Sequence, residues 1–148
     1  MNELMYEEIR RISKEINSGE IDLSGTREVI RAYERIMEYV VFAREQGILT
    51  LESEENLERI GNGQIERCLK ELLLLIAYGA DPEAFAEIGW NLYFSGVYSA
   101  YDALRYLIYM RGALLIEMGQ DRRICSETLI SMMPERIRSM ITDEEPFQ

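Results

Sequence analysis

The stretch FAREQGILTLESEE, residues 42–55, directs the fold prediction because two helical patterns meet inside it. Before it, apolar residues recur three or four positions apart over residues 26–46, which predicts a long amphipathic helix. Gly47 follows directly, and glycine readily adopts the positive φ at which many helices end. Thr50 then offers a side-chain cap for a further helix over residues 51–60. The stretch therefore predicts a corner between two helices.

The same helical spacing extends outward in both directions. Ser24 or Thr26 is predicted to cap the long helix, and Asp81 followed by Pro82 is a strong helix start. Gly96, after Ser95, is the predicted break in the pattern that follows. The other predicted helices cover residues 2–18, 64–78, 82–94, 99–118 and 121–133, with a last turn or two over residues 135–141.

No alternation of apolar and polar residues typical of strands occurs in the sequence. The fold class is therefore predicted to be all-α, a compact helical bundle of about six to seven helices. Residues 1–141 are expected to form a single helical domain, and residues 142–148 a flexible acidic tail. The 148-residue length and the 47% content of hydrophobic residues fit one folded domain.

The charge balance restricts the kinds of partner. The chain has 27 acidic and 16 basic residues, for a net charge of −11. Such a surface repels polyanions, so nucleic acid is not an expected ligand, and a basic face of another protein is favoured. The uncharged run over residues 88–101 is shorter than the roughly 20 apolar residues that span a bilayer, so no membrane insertion is expected.

The cysteines and the missing histidines restrict the chemistry. Cys68 and Cys125 lie in apolar helical patterns, which indicates free thiols and a cytoplasmic location. The chain has no histidine, which excludes imidazole bases and the catalytic triads built on them. No cofactor is expected, and a non-enzymatic protein is the favoured interpretation. Gly61-Asn62-Gly63 lacks the lysine of a phosphate-binding loop.

Two other interpretations stay open at this point. Acidic residues are clustered in the sequence, and such carboxylates could serve a metal-binding protein or an enzyme. Tyrosines are concentrated in the second half, where they could pack in a core helix or form the interface of a homo-oligomer. The acidic residues are Glu52, Glu54, Glu55, Glu58 and residues 143–145, and the tyrosines are Tyr93, Tyr98, Tyr101 and Tyr109.

Several blocks of the sequence resemble the cytoplasmic parts of the flagellar stator protein MotA and its proton-channel relatives. AREQGILTLE at residues 43–52 is similar to the family's segment after the second membrane helix, and GADPE at residues 79–83 to its Gly-x-Asp-Pro-Glu helix start. RGALLIEMG at residues 111–119 and LISMMP at residues 129–134 resemble the segment after its last membrane helix. The resemblance spans roughly residues 35–138, in the family's order.

The family's membrane helices have no counterpart in this sequence, so the resemblance does not imply ion conduction. It implies a soluble helical domain that contacts a rotor or stator component. In the family, charged residues of the cytoplasmic segment face the rotor switch protein FliG, and the matching positions are Arg44 and Glu52. With the adjacent Glu54 and Glu55, these residues are the predicted protein-interaction site.

Overall fold

The computed structural model of the chain describes residues 3–96 and 98–144, without the side chains of residue 54 and residues 142–144. The described part contains eight α-helices, one 3-10 helix and no strand. The all-α prediction is confirmed, with slightly more helices than the six to seven expected. The α-helices are α1 (Glu3–Ser18), α2 (Leu23–Gln46), α3 (Glu54–Glu58), α4 (Gln64–Ala77), α5 (Pro82–Ser95), α6 (Ala100–Glu117), α7 (Arg122–Ser131) and α8 (Glu135–Glu144). The 3-10 helix is Ile48–Glu52.

Helix α6 is the centre of the bundle. Its residues 106–110 and 112–116 are all buried, so it is surrounded by protein on every side. It packs against α1, α2, α4, α5 and α7. A helix that is apolar all round needs such complete cover, and one continuous cluster of buried apolar side chains supplies it.

A glycine sets the contact between α2 and α6. A Cβ atom at Gly112 would overlap the Cγ1 atom of Ile36, a fully buried side chain of α2. The absence of a side chain therefore lets the two helices lie close together. Gly89 on α5 contacts α6 in another way, because its carbonyl oxygen accepts a hydrogen bond of 2.6 Å from the hydroxyl of buried Tyr106.

The predicted helix ends are largely confirmed. Gly47 has the expected positive φ, 94°. The break after Ser95 is also present, and α6 begins after Ser99, whose hydroxyl accepts a bond from the Asp102 backbone N–H. The predicted cap of the long helix is wrong, because α2 begins at Leu23. Its cap is Asp22, whose carboxylate accepts a 2.8 Å bond from the Gly25 backbone N–H.

Helices α4 and α6 end in the same way. Each is followed by a glycine with positive φ, Gly79 at 82° and Gly119 at 69°. Two residues later an aspartate caps the next helix, Asp81 for α5 and Asp121 for α7. The chain thus uses the same kind of connection twice.

The predicted helix over residues 51–60 is wrong in form. The chain instead makes the 3-10 helix and the short α3, with Ser53 between them as the cap of α3. Thr50 does not cap α3 because it lies inside the 3-10 helix, where its hydroxyl donates a 2.6 Å bond to the Gly47 carbonyl. The hydroxyl of Ser53 accepts the capping bond from the Asn56 backbone N–H. The predicted corner is present, but it is tighter than two joined α-helices.

Helix α8 continues to Glu144, into the predicted acidic tail, and residues 145–148 lie outside the described part of the chain. Within residues 3–96 and 98–144, none of the helices has both the length and the apolar character needed to cross a membrane.

Candidate interaction surface

The predicted contact residues lie at the corner formed by the end of α2 and the 3-10 helix. The Arg44 guanidinium donates a 3.1 Å bond to the backbone carbonyl of Gln120, in the turn between α6 and α7. Arg44 therefore ties the end of α2 to that turn, although its side chain stays exposed. Glu52 and Glu55 are also exposed, and the Glu54 side chain lies outside the described residues.

A buried polar side chain holds the corner together. Asn56 is only 7% exposed, and its amide nitrogen donates a 2.9 Å bond to the Thr50 carbonyl. The backbone carbonyl of Asn56 accepts a 2.9 Å bond from the hydroxyl of Tyr39 on α2. Buried polar groups need such partners, and here they connect three elements. No sequence signal indicated Asn56, since a polar residue in an acidic run is usually exposed.

A shallow groove lies on the outer face of α2, next to the corner. It has a volume of about 310 Å³ and is lined by Met37, Glu38, Val41, Phe42 and Glu45. Glu38 and Glu45 are both exposed and are two helical turns apart, so a carboxylate lies toward each end of a mainly apolar floor. The sequence signal that could have indicated this groove is the helical spacing of apolar residues in α2, which include Met37 and Val41.

The tyrosines of the predicted homo-oligomer interface belong to the core. Tyr93 and Tyr109 are buried, and Tyr98 and Tyr101 are half-buried. The Tyr109 hydroxyl accepts a 3.2 Å bond from Arg35, and burial raises the pKa of Tyr98 to about 12. Their placement fits the core interpretation and leaves little of their surface for another copy of the chain.

The carboxylates of the described residues do not gather into a metal site. No group of three or more cysteine, aspartate or glutamate side chains is placed to hold an ion there. One carboxylate is unusual, because Oε2 of Glu117 is buried and has no hydrogen-bond partner among the described atoms. Burial raises the pKa of Glu117, and the nearby Asp81 raises it further.

Comparisons of the chain with protein-family models, with curated proteins and with solved structures gave no match. The resemblance to the stator family therefore depends on the quoted blocks alone. One of those blocks has a clear packing role, because its residues 112–116 are all buried in α6. Core packing accounts for its apolar pattern, whatever the ancestry of the chain.

Proposed function

We propose that this chain is a non-enzymatic protein-binding domain whose groove on α2 accepts an amphipathic helix with basic flanks. The groove is the observation that carries the proposal, because it joins an apolar floor to carboxylates at Glu38 and Glu45. Val41 on the floor of the groove is half-buried, so part of its apolar surface is exposed and would contact a partner helix.

Charge and shape together define the occupant. Helices bind in grooves through apolar side chains three or four residues apart, and lysine or arginine on either side would face the two glutamates. The net charge of −11 attracts a basic partner from a distance, which raises the association rate more than the affinity. Arg44, Glu52 and Glu55 are exposed at the corner that follows α2 and would form the polar rim of the contact.

The partner we propose is a component of the flagellar motor, either the rotor switch protein or a stator protein. The blocks at residues 43–52 and 111–119 support this choice by their resemblance to MotA. Cross-linking in cells that assemble flagella, followed by identification of the captured proteins, tests it. Capture of a rotor or stator component is expected, and its absence would remove the motor link while leaving the helix-binding proposal to its own test.

A cytoplasmic location follows from the same proposal. Cys68 is half-buried and Cys125 is buried, and both are free thiols. Burial raises the pKa of each thiol, which keeps it in the less reactive protonated form. Reduced, inert cysteines of this kind support a reducing compartment.

The groove can be tested with a synthetic amphipathic helix that carries a leucine stripe flanked by lysines. We expect Glu45→Lys to weaken binding by about two- to fivefold at low salt, since an exposed charge contributes little and a reversed one repels. Added salt should reduce this difference because it screens exposed charges. Fluorescence anisotropy of the labelled peptide measures both effects.

Glu87→Lys is the matched control, because Glu87 is exposed on α5 and lines none of the groove. It makes the same change in net charge and should leave binding close to that of the wild type. Val41→Glu tests the apolar floor and should weaken binding more than Glu45→Lys. Equal weakening by Glu45→Lys and Glu87→Lys, with no effect of Val41→Glu, would mean that general charge attraction and not the groove binds the peptide.

A further inference from the structure

Two adjoining cavities lie on the opposite side of Glu38 from the groove. Their volumes are about 250 and 200 Å³, and both are lined by Arg31 and Arg35 of α2. Arg59 lines the first cavity and Arg105 the second. Each cavity is thus lined by three arginines and two glutamates, Glu34 and Glu38 in the first and Glu28 and Glu66 in the second. Arg31 and Arg35 lie between the two cavities. We call the two cavities together the arginine pocket.

Two of these arginines are already neutralised by short ion pairs. Arg31 lies 2.8 Å from a carboxylate oxygen of Glu28. Arg105, with a side chain only 12% exposed, lies 2.5 Å from Glu66 and 2.8 Å from Asp102. Arg105 is mostly buried, so its pairs hold its guanidinium in place, whereas the Arg31 and Glu28 side chains are 67% and 42% exposed and form a weak surface pair. The Nε–H of Arg105 is buried and has no acceptor among the described atoms.

The other two arginines, Arg35 and Arg59, form no short ion pair with a described carboxylate, so their positive charge is less compensated. Arg35 lies 3.8 Å from the nearest carboxylate oxygen, that of Glu66, which is already bound by Arg105. Its guanidinium donates to the Tyr109 hydroxyl, and that hydroxyl keeps its own proton as a further donor. Arg59 is exposed and forms no ion pair with a described side chain.

Glu34 and Glu38 also line the first cavity, and they set a limit on its positive charge. Both side chains are exposed, so water and salt screen them, whereas Arg35 is half-buried and screened less. Arg59 is exposed and screened like these glutamates, so Arg35 is the least screened charge that an anion in the first cavity would meet.

We infer that the arginine pocket binds a phosphate group, either free or as the monoester of a small molecule. Guanidinium groups offer parallel N–H donors whose spacing matches phosphate oxygens, which makes arginine a favoured phosphate ligand. Arg35 and Arg59 supply the charge in the first cavity, and the Tyr109 hydroxyl supplies a neutral donor beside Arg35 in the second. Each cavity is several times larger than the ~30 Å³ that a water molecule occupies in the liquid, which leaves room for the group.

The pocket can be tested by nuclear magnetic resonance titration with inorganic phosphate and with O-phosphoserine, at an ionic strength held constant with sodium chloride. Saturable shifts of the side-chain Nε–H signals of Arg35, Arg59 and Arg105 are expected. Arg59→Gln should weaken binding by about tenfold, the low end of what a charged hydrogen bond contributes. Stronger binding of phosphoserine would identify an esterified ligand, and stronger binding of inorganic phosphate a free one.

Arg67→Gln is the matched control, because Arg67 is exposed on α4 and lines neither cavity. It should leave phosphate binding unchanged, and so should Glu45→Lys in the groove. Circular dichroism of both arginine variants establishes that they fold. The inference is overturned if neither probe gives saturable shifts, or if Arg59→Gln and Arg67→Gln weaken binding equally.

Discussion

At the scale of single residues, two kinds of position affect the stability of the fold: one where a side chain is absent, and one where a buried carboxylate oxygen has no hydrogen-bond partner among the described atoms. Gly112 is the first kind, because its missing Cβ lets α2 approach α6. Glu117 is the second kind, because one of its carboxylate oxygens is buried without a partner among the described atoms. Both residues were unremarkable in the sequence, where glycine in a helix indicates a weak point and glutamate a solvated surface.

Gly112→Ala should destabilise the protein although alanine is the better helix former. The new methyl group would force Ile36 to move, and overpacking of a core costs about 1–3 kcal/mol, against a gain of about 1 kcal/mol in helix propensity. We expect a net loss in the free energy of unfolding, measured by urea denaturation.

Gly89→Ala is the matched control for this substitution. Its Cβ would lie 2.8 Å from Cε of Met110, the flexible end of a side chain that can turn away. The control should therefore lose clearly less stability than Gly112→Ala. Equal losses would show that the Gly112 contact is not what limits the approach of α2 to α6.

Glu117→Gln should raise the melting temperature at neutral pH. Burial and Asp81 raise the pKa of Glu117 above its usual 4.5, so its ionised form is less favourable in the folded state than in the unfolded state. This loss of stability is fully present above the folded pKa and disappears as the pH falls below the unfolded value. The melting temperatures of the two proteins should therefore converge in acid.

Scanning calorimetry across this pH range measures the effect, with Glu87→Gln on the exposed face of α5 as the control. The control should leave the melting temperature nearly unchanged at every pH. If the gain in melting temperature from Glu117→Gln persisted in acid, the raised pKa of Glu117 would not be its cause, since glutamate and glutamine are both neutral there.

At the scale of elements, local signals predicted some helix boundaries and failed at others. Asp81 with Pro82 and the cap at Asp121 act within a few residues, so α5 and α7 begin where the sequence predicts. The corner after Gly47 is different, because a 3-10 turn and an α-turn are close in local energy. Burial of Leu51 beneath α4 and the bonds of Asn56 decide between them.

Asn56→Ala tests the role of that side chain in the corner. It removes the 2.9 Å bond from the Asn56 amide nitrogen to the Thr50 carbonyl, and we expect a loss of about 1–3 kcal/mol in the free energy of unfolding. Amide hydrogen exchange over residues 48–58 should quicken more than in the core of α6. Asn62→Ala, at an exposed position of the next loop, should change neither quantity appreciably.

At the scale of the whole molecule, α2 carries both proposed sites. The groove and the arginine pocket lie on adjacent faces of this helix and share Glu38. The sequence predicts the amphipathic helix on which the groove lies. It does not predict the arginine pocket, because Arg31 and Arg35 lie on α2, Arg59 follows α3 and Arg105 lies on α6, and no local pattern encodes their proximity.

The sequence by itself determined the all-α class, most helix boundaries, the acidic charge and the exclusion of histidine chemistry, because these follow from periodicity, capping residues and composition. Only the tertiary structure decided which apolar and aromatic side chains are buried. Tyr93 and Tyr109 are buried in the core, whereas Val41 is only half-buried. The physical reason is that burial depends on contacts between residues distant along the chain, whereas caps and periodicity act within a few residues.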